Sequence, residues 1–287
     1  IWDPILFQMY LNAKSPFVIS TRGMMEPWSL RQKRIKKKVF RTIVTNRILN
    51  SSFCLHATAL SEAKNLRKLG FLNPIAIIPN GVNLREFSQA KKMSSNKKKI
   101  LFMSRIHQKK GIENLISAFS LLNNDLMSNW IIEIVGNGQQ DYINSLNSKI
   151  FNLGLSTSIK IKDPVYSYEK YNLLKSADVF VLPSFSENFG IVIAESLASG
   201  VPVITTKGTP WEELLKYNCG DWIETGVDPL VNSLNKMLKL NDRERIFMGQ
   251  NGRKLIEEKY TTDKVSVQML NLYEWILGFK TKPNFIY

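Results

Sequence analysis

The sequence is poor in the residues that many enzyme chemistries require. Among 287 residues there are two cysteines, Cys54 and Cys219, and two histidines, His56 and His107. Two distant thiols make neither a redox pair nor a zinc framework, and they are read as buried thiols in a reducing compartment. Two histidines exclude multi-histidine zinc sites and an H-E-x-x-H helix. There is no D-x-D pair, no G-x-S-x-G elbow, no G-x-x-x-x-G-K-[ST] loop and no complete G-x-G-x-x-G turn. Long apolar runs are absent too. VFVL (179–182) and IVIA (191–194) fall far short of the roughly 18 residues that cross a bilayer. The opening IWDPILFQMYL has no basic n-region and no small-residue cleavage site, so no secretory leader is expected. It has no initiator Met, so a fragment is expected.

Acidic residues are scarce in the first third. Residues 1–92 hold 16 Lys and Arg against 4 Asp and Glu, a net of +12, whereas residues 93–287 hold 23 against 20. The stretch 31–47 alone has eight basic residues and no acid. Such asymmetry speaks of partners rather than fold. Hydrophobic residues make up 44% and charged residues 22%, a globular composition.

Short apolar runs alternate with helical periodicity along the chain. Strands are expected at 17–20, 53–57, 75–79, 99–104, 130–136, 158–162, 178–183 and 201–205. Helices are expected at 28–49, 60–69, 111–123, 140–153, 167–176, 190–199, 228–239, 242–258 and 262–278. Strands that are apolar throughout are covered on both faces. Their alternation with helices predicts an α/β protein with doubly wound parallel sheets. PNGV (79–82) and the Lys-rich QAKKMSSNKKK (89–99) mark a boundary between two such units, the first with only about three strands.

The chemistry is expected after three strands. In PSFSENFGIVIAESLASGVPVITT (183–206) a buried strand ends at Pro183, a polar loop follows, and a helix opens near Phe189–Gly190. Ligands of parallel sheets bind at the carboxyl ends of strands, and a helix start offers free N–H groups to a phosphate. Glu187 lies in the loop, and Glu195 lies about 7–8 Å further along at 1.5 Å per helical residue, the span from a diphosphate to a ribose. In isolation the pair reads more readily as a solvated loop acid, Glu187, and a surface helix acid, Glu195; the neighbouring loops change that weight. SRIHQKKG (104–111) repeats the strand–loop–helix plan and brings Arg105 and Lys110, a cation pair suited to a diphosphate leaving group. VGNGQ (135–139) adds Gly136 and Gly138, which allow close backbone approach.

These residues resemble the retaining, nucleotide-sugar-dependent glycosyltransferases of the GT-B fold. The nearer likeness is to the bacterial "glycosyl transferases group one" family, marked by E-x7-E. The likeness extends through STRGMMEPWSL (20–30), HATALSE (56–62), IPNGV (78–82), TKGTPWEEL (206–214), CGDWI (219–223) and MGQNGRKLIEEKY (248–260). It implies two Rossmann-like domains. Residues 1–92 would be a partial acceptor-binding domain, residues 93–262 the donor-binding domain, and residues 263–287 a helix crossing back to the first.

The resemblance also implies roles. Arg105 and Lys110 would hold the donor diphosphate, and Glu187 would contact the donor sugar. Asn188, Phe189, Gly190 and Ile191, with Gly136 and Gly138, would line the donor site. Glu195 would accept from the ribose hydroxyls, and Val165 would lie near the base. The family's first domain opens with a strand and a glycine-rich loop about 80–100 residues before Ile1, given domains of about 100–150 residues, so the first domain is expected to be incomplete. Many relatives carry His where STRG has Arg22. Arg22 cannot act as a base, and it reads either as an acceptor-binding residue or as a structural Arg under the loop.

The implied reaction moves a sugar from a nucleoside diphosphate sugar to a saccharide or lipid-linked saccharide in cell-surface polysaccharide synthesis. It keeps the sugar's configuration and uses no metal and no cofactor. The alternative is a truncated or degenerate relative that binds nucleotide-sugar or a partner without catalysis. The stretch 31–47 reads either as a patch docking on an anionic membrane surface or as the solvated face of a core helix. It lacks the interleaved aromatics of a nucleic-acid binder, so no nucleic-acid partner is expected. The implied location is cytoplasmic, peripheral on the inner face of the cell membrane.

Overall fold

A computed structural model describes residues 15–26, 45–88 and 97–287. The strands are β1 (Val18–Ser20), β2 (Cys54–Ala57), β3 (Ile75–Ile77), β4 (Lys98–Met103), β5 (Trp130–Val135), β6 (Ile159–Lys162), β7 (Val179–Leu182), β8 (Val203–Thr206) and β9 (Gly220–Ile223). The helices begin with α1 (Asn46–Ser51), α2 (Leu60–Lys68), α3 (Arg85–Ser88), α4 (Ile112–Ser120), α5 (Asn124–Ser128) and α6 (Gln140–Asn152). They continue with α7 (Ser167–Ser176), α8 (Ile191–Ala198), α9 (Glu213–Lys216), α10 (Val227–Lys239), α11 (Asp242–Lys259) and α12 (Thr262–Ile276). The basic stretch 31–47 up to residue 44, and residues 89–96 of the Lys-rich segment, lie outside the described residues.

The chain divides into two compact units, Ile1–Gly81 with Asp263–Tyr287, and Val82–Thr262. The units part at Gly81 rather than at residue 92.

In the first unit β1, β2 and β3 pair in parallel, in that order. Alternation along β2 sends Leu55 and Ala57 to one face with Leu49, Leu66 and Ile75, and Cys54 to the other with Ala76, Ile78 and Leu272. Leu272 comes from α12, so the last helix covers the second face. The edge of β3 is closed by the chain's end. Ile75 N–H donates to the Tyr287 carbonyl at 3.1 Å, and Ile77 N–H donates to Phe285 at 3.0 Å. A capped edge no longer templates pairing with another strand. Burial pushes the Cys54 thiol up to about 11 and the Cys219 thiol, in the second unit, to about 12. Neither thiol is activated as a nucleophile.

The second unit holds a six-stranded parallel sheet in the order β6-β5-β4-β7-β8-β9. Its central strands are apolar on both faces. Every residue of β7 and β8 is buried, as the continuous hydrophobic run of β7 requires, and the two polar residues that end β8, Thr205 and Thr206, spend their hydroxyls on the Leu182 and Ser184 carbonyls.

Eight strands stand where the sequence places them, to within two residues at each end. The ninth, β9, is a correction. Gly220 and Asp221 break the hydrophobic run that marks a strand, yet both have local reasons. A Cβ on Gly220 would lie 1.9 Å from the Val203 carbonyl oxygen of β8. The Asp221 carboxylate accepts from Ser233 Oγ at 2.7 Å and from Lys236 Nζ at 3.0 Å, both on α10.

Candidate functional site

From β4 the chain moves to β5 and β6 on one side of the six-stranded sheet. From β7 it moves to β8 and β9 on the other. The order therefore reverses between β4 and β7, and neighbouring carboxyl ends at such a reversal open into a crevice. The loops at this point are 104–111, after β4, and 183–190, after β7.

Glycines and backbone bonds lock the loops together. Gly111 has φ +69°, and a Cβ on it would lie 2.1 Å from the Pro183 carbonyl oxygen. Phe185 N–H donates to the Lys109 carbonyl at 2.9 Å. The loop after β5 packs as tightly. Cβ atoms on Gly136 and Gly138 would lie 1.9 Å from Ser104 O and 2.3 Å from Ile106 O, and Ile106 N–H donates to Asn137 O at 2.6 Å. After β8, Gly208 accepts from Glu187 N–H at 2.7 Å, and a Cβ there would meet Phe185 O at 2.5 Å. The Thr206 hydroxyl donates to the Ser184 carbonyl. Four strand ends thus share one rigid floor.

Lys110 and Glu187 meet on that floor. Lys110 Nζ lies 2.5 Å from Glu187 Oε1, with each side chain only 12% exposed, and Ser184 Oγ donates to the same oxygen at 2.7 Å. Arg105 is exposed in the same loop. Burial, then the charges of Arg105, Lys110 and Lys109, holds the His107 imidazole below its ordinary range. The loop therefore gathers three cations beside His107 and makes this end of the sheet electropositive.

The helix start is built for backbone contact. Gly190, at φ +75°, precedes α8, and no side chain caps the helix. Phe189 is buried, its ring 5.2 Å from that of Trp211 and 5.7 Å from that of Tyr260. Its carbonyl accepts from Trp211 Nε1 at 2.6 Å. Phe189 thus fixes the loop through packing. Asn188 and Gly190 are half-buried, and Ile191 is exposed.

Glu195 lies on α8 beside α7, its side chain 12% exposed. Lys170 Nζ of α7 lies 2.5 Å from its Oε1. Its Oε2 is buried with no hydrogen-bond partner. Burial raises its pKa from the ordinary carboxylate value, Lys170 opposes the rise, and Glu86 adds to it. Val165 is half-buried against the core of this unit, in the loop after β6.

Arg22 belongs to the other unit. It is exposed at φ +42° in the loop after β1, a conformation that costs a side-chain-bearing residue about 1–2 kcal/mol. Buried Glu62 fixes the loop. Its Oε1 accepts from Thr21 Oγ1 and Gly23 N–H, each at 2.7 Å, and its Oε2 accepts from Thr58 N–H at 2.8 Å. Among the described residues no acid pairs with Arg22.

Sequence reasoning missed Lys170, Ser184, Gly208 and Trp211. Gly208 and Trp211 lie within TKGTPWEEL, where a glycine and a tryptophan three positions apart after a strand were an available signal. Lys170 carried none, because its place beside Glu195 depends on the packing of α7 against α8. Among the described residues no group of three or more His, Cys, Asp or Glu is arranged to hold a metal ion, and no helix is long and apolar enough to cross a membrane.

The model of the family glycosyl transferases group 1 matches residues 84–255, more than half of the chain. The chain belongs to this family. A glycosyltransferase of Methanocaldococcus jannaschii described as uncharacterized is 30% identical over 215 residues, covering 70% of this chain and 54% of that protein. An Escherichia coli UDP-Gal:alpha-D-GlcNAc-diphosphoundecaprenol alpha-1,3-galactosyltransferase is 27% identical over 254 residues, covering 82% of this chain and 62% of that enzyme. This group 1 chain thus spans between half and two thirds of the length of these two relatives. Sucrose-phosphate synthase from Thermosynechococcus elongatus superposes with a TM-score of 0.81 at 18% identity, over 95% of this chain and 71% of that one. The fold is GT-B.

Proposed function

We propose that this chain is the part of a retaining glycosyltransferase that binds a nucleoside diphosphate sugar and passes its sugar to a saccharide or lipid-linked saccharide in cell-surface polysaccharide synthesis. The observation that carries the proposal is the pairing of Lys110–Glu187 with a half-satisfied Glu195 at the sheet's reversal point. The spacing suits a diphosphate at the helix start and a ribose at Glu195. UDP is favoured as the nucleotide by the name of the E. coli relative, which also supports a lipid-linked acceptor.

In the proposed reaction the acceptor hydroxyl oxygen attacks the sugar's C1 on the face from which the diphosphate leaves. The C1–O bond to the diphosphate breaks as the new C1–O bond forms, and the hydroxyl proton passes to a leaving phosphate oxygen. The charge growing on the diphosphate is met by Arg105, Lys110 and the N–H groups around Gly190 and Ile191. Glu187 orients the sugar. It also holds Lys110, and this pairing presets the loop and lowers the cost of reorganisation. With these cations on the leaving group, the reaction calls for neither metal nor cofactor. Arg22 is assigned to the acceptor and the basic stretch 31–47 to docking on anionic lipid headgroups.

Calorimetric titration with UDP and GDP tests the donor site. One nucleotide should bind saturably, and Arg105→Ala and Glu195→Ala should each weaken it. A folded chain that binds neither would overturn the proposal.

A further inference from the structure

Glu195 is satisfied on one side only. Lys170 takes Oε1 at 2.5 Å, while Oε2 is buried and has no partner. Lys170 is half-buried, and the Oε2 it leaves unpaired is costly, because a buried oxygen without a partner loses its hydration. Other groups facing the carboxylate are already engaged. The Tyr171 hydroxyl, on the same helix as Lys170, donates to Glu86 Oε2 of α3, and Asn83 Nδ2 donates to Glu86 Oε1 at 3.3 Å. Phe87 braces Tyr171, with ring centroids 4.7 Å apart.

Lys170 therefore has one acid to serve, Glu195. Its ammonium sits near the start of α7, where the helix dipole disfavours a cation. Nothing in that helix's own stability calls for lysine there.

We propose that Lys170 is the positioning residue of the ribose site: by anchoring Oε1 of Glu195 it aims Oε2 at the vicinal hydroxyls of a bound nucleotide. The proposal rests on the reading that Glu195 meets the ribose. A carboxylate oxygen accepts from a hydroxyl donor, and the 2′- and 3′-hydroxyls of a ribose are such donors, whereas a 2′,3′-dideoxyribose has none. Lys170 also keeps the carboxylate in its accepting form against burial and the nearby charge of Glu86.

The test compares UDP and GDP with their 2′,3′-dideoxy counterparts, titrated into the full chain, Glu195→Ala, Lys170→Met and Lys170→Arg. A hydrogen bond to a charged group corresponds to about tenfold or more in affinity. Wild type should prefer the ribonucleotide by about that factor. Glu195→Ala and Lys170→Met should both lose the preference while keeping their affinity for the dideoxy form. Lys170→Arg should restore most of it.

A second readout is pH. The ratio of ribo- to dideoxynucleotide affinity should hold steady from pH 8 to 6 in wild type. In Lys170→Met it should fall as pH drops, because Glu195 then takes up a proton and loses the charge that strengthens its acceptance. The diphosphate's own protonation cancels in the ratio.

If Glu195→Ala loses the preference and Lys170→Met keeps it, the proposal is overturned and the ribose reading stands. If Glu195→Ala keeps the preference, or wild type binds neither nucleotide, the ribose reading falls and the proposal falls with it. An equal loss for both nucleotide forms in Lys170→Met would show a merely structural lysine and would also overturn the proposal.

Discussion

Each unit buries a glutamate on the helix that follows a parallel strand, and the two are finished differently. Glu62, after β2, accepts from Thr21 Oγ1, Gly23 N–H, Thr58 N–H and Thr58 Oγ1, so both oxygens are occupied by the protein. Glu195, after β7, has one oxygen on Lys170 and the other buried with no partner. The first carboxylate ties a loop to a helix. The second is left incomplete at the place where the sheet order reverses. Burial alone does not separate the two acids; the unfilled acceptor of Glu195, on the helix that follows a strand's carboxyl end, does.

The contrast can be broken first at Glu62. Glu62→Ala strips an acceptor from four donors at once, three of them buried, and should destabilise the first unit by about 3 kcal/mol. The drop should be seen in urea unfolding, with nucleotide affinity in buffer unchanged. An equal loss of nucleotide affinity would erase the distinction between the two acids.

The converse experiment replaces the second site's pair. Glu195→Gln with Lys170→Met removes a buried ion pair without leaving a lone charge, so stability should stay level or rise by about 1 kcal/mol. Nucleotide affinity should fall by about tenfold, the worth of a hydrogen bond to a charged acceptor. A large loss of stability would make Glu195 as structural as Glu62.

The smallest effect sharpens the account of the first unit. His56 bridges Ser20 Oγ at 3.0 Å and the Ile78 carbonyl at 2.8 Å, and burial chiefly lowers its pKa from 6.5. Below pH 6.5 the unfolded chain takes up a proton that the folded chain does not. Stability should therefore fall as pH drops through that value and be level above it. His56→Asn should flatten the slope by up to about 1 kcal/mol per pH unit, measured by urea unfolding from pH 7.5 to 5. His107 has the same direction of shift and will leave a residual slope.

Much of the fold was legible because its signals are local. VFVL at 179–182 is apolar at every position, and it became a strand with every residue buried. The boundary was legible only roughly: PNGV and the Lys-rich stretch together put it at residue 92, whereas the compact units part at Gly81, within PNGV. β9 was not legible. Gly220 and Asp221 look like a turn until Val203 and α10 are set beside them.

The candidate site divides along the same line. Glu187 and Glu195 could be singled out from their spacing, and Lys110 from its place after a strand. Their state could not. As surface acids they would be solvated, yet both side chains are only 12% exposed and each meets a lysine from another part of the chain. Arg105 and Lys110 looked equivalent in sequence, but Lys110 is engaged with Glu187 while Arg105 is exposed.

By itself the sequence determined the alternation of strands and helices, the parallel sheets and which loops after strands make up the candidate site. Those features follow from periodicity and from residue types a few positions apart. Tertiary structure alone decided which loops touch, which glycines have no room for a Cβ, and that Lys170 completes one half of Glu195. Those facts depend on atoms brought within 3 Å from residues 25 to 77 positions apart, as in the Lys170–Glu195 and Lys110–Glu187 pairs. Spacing along the chain carries no record of such distances until the sheet order is set.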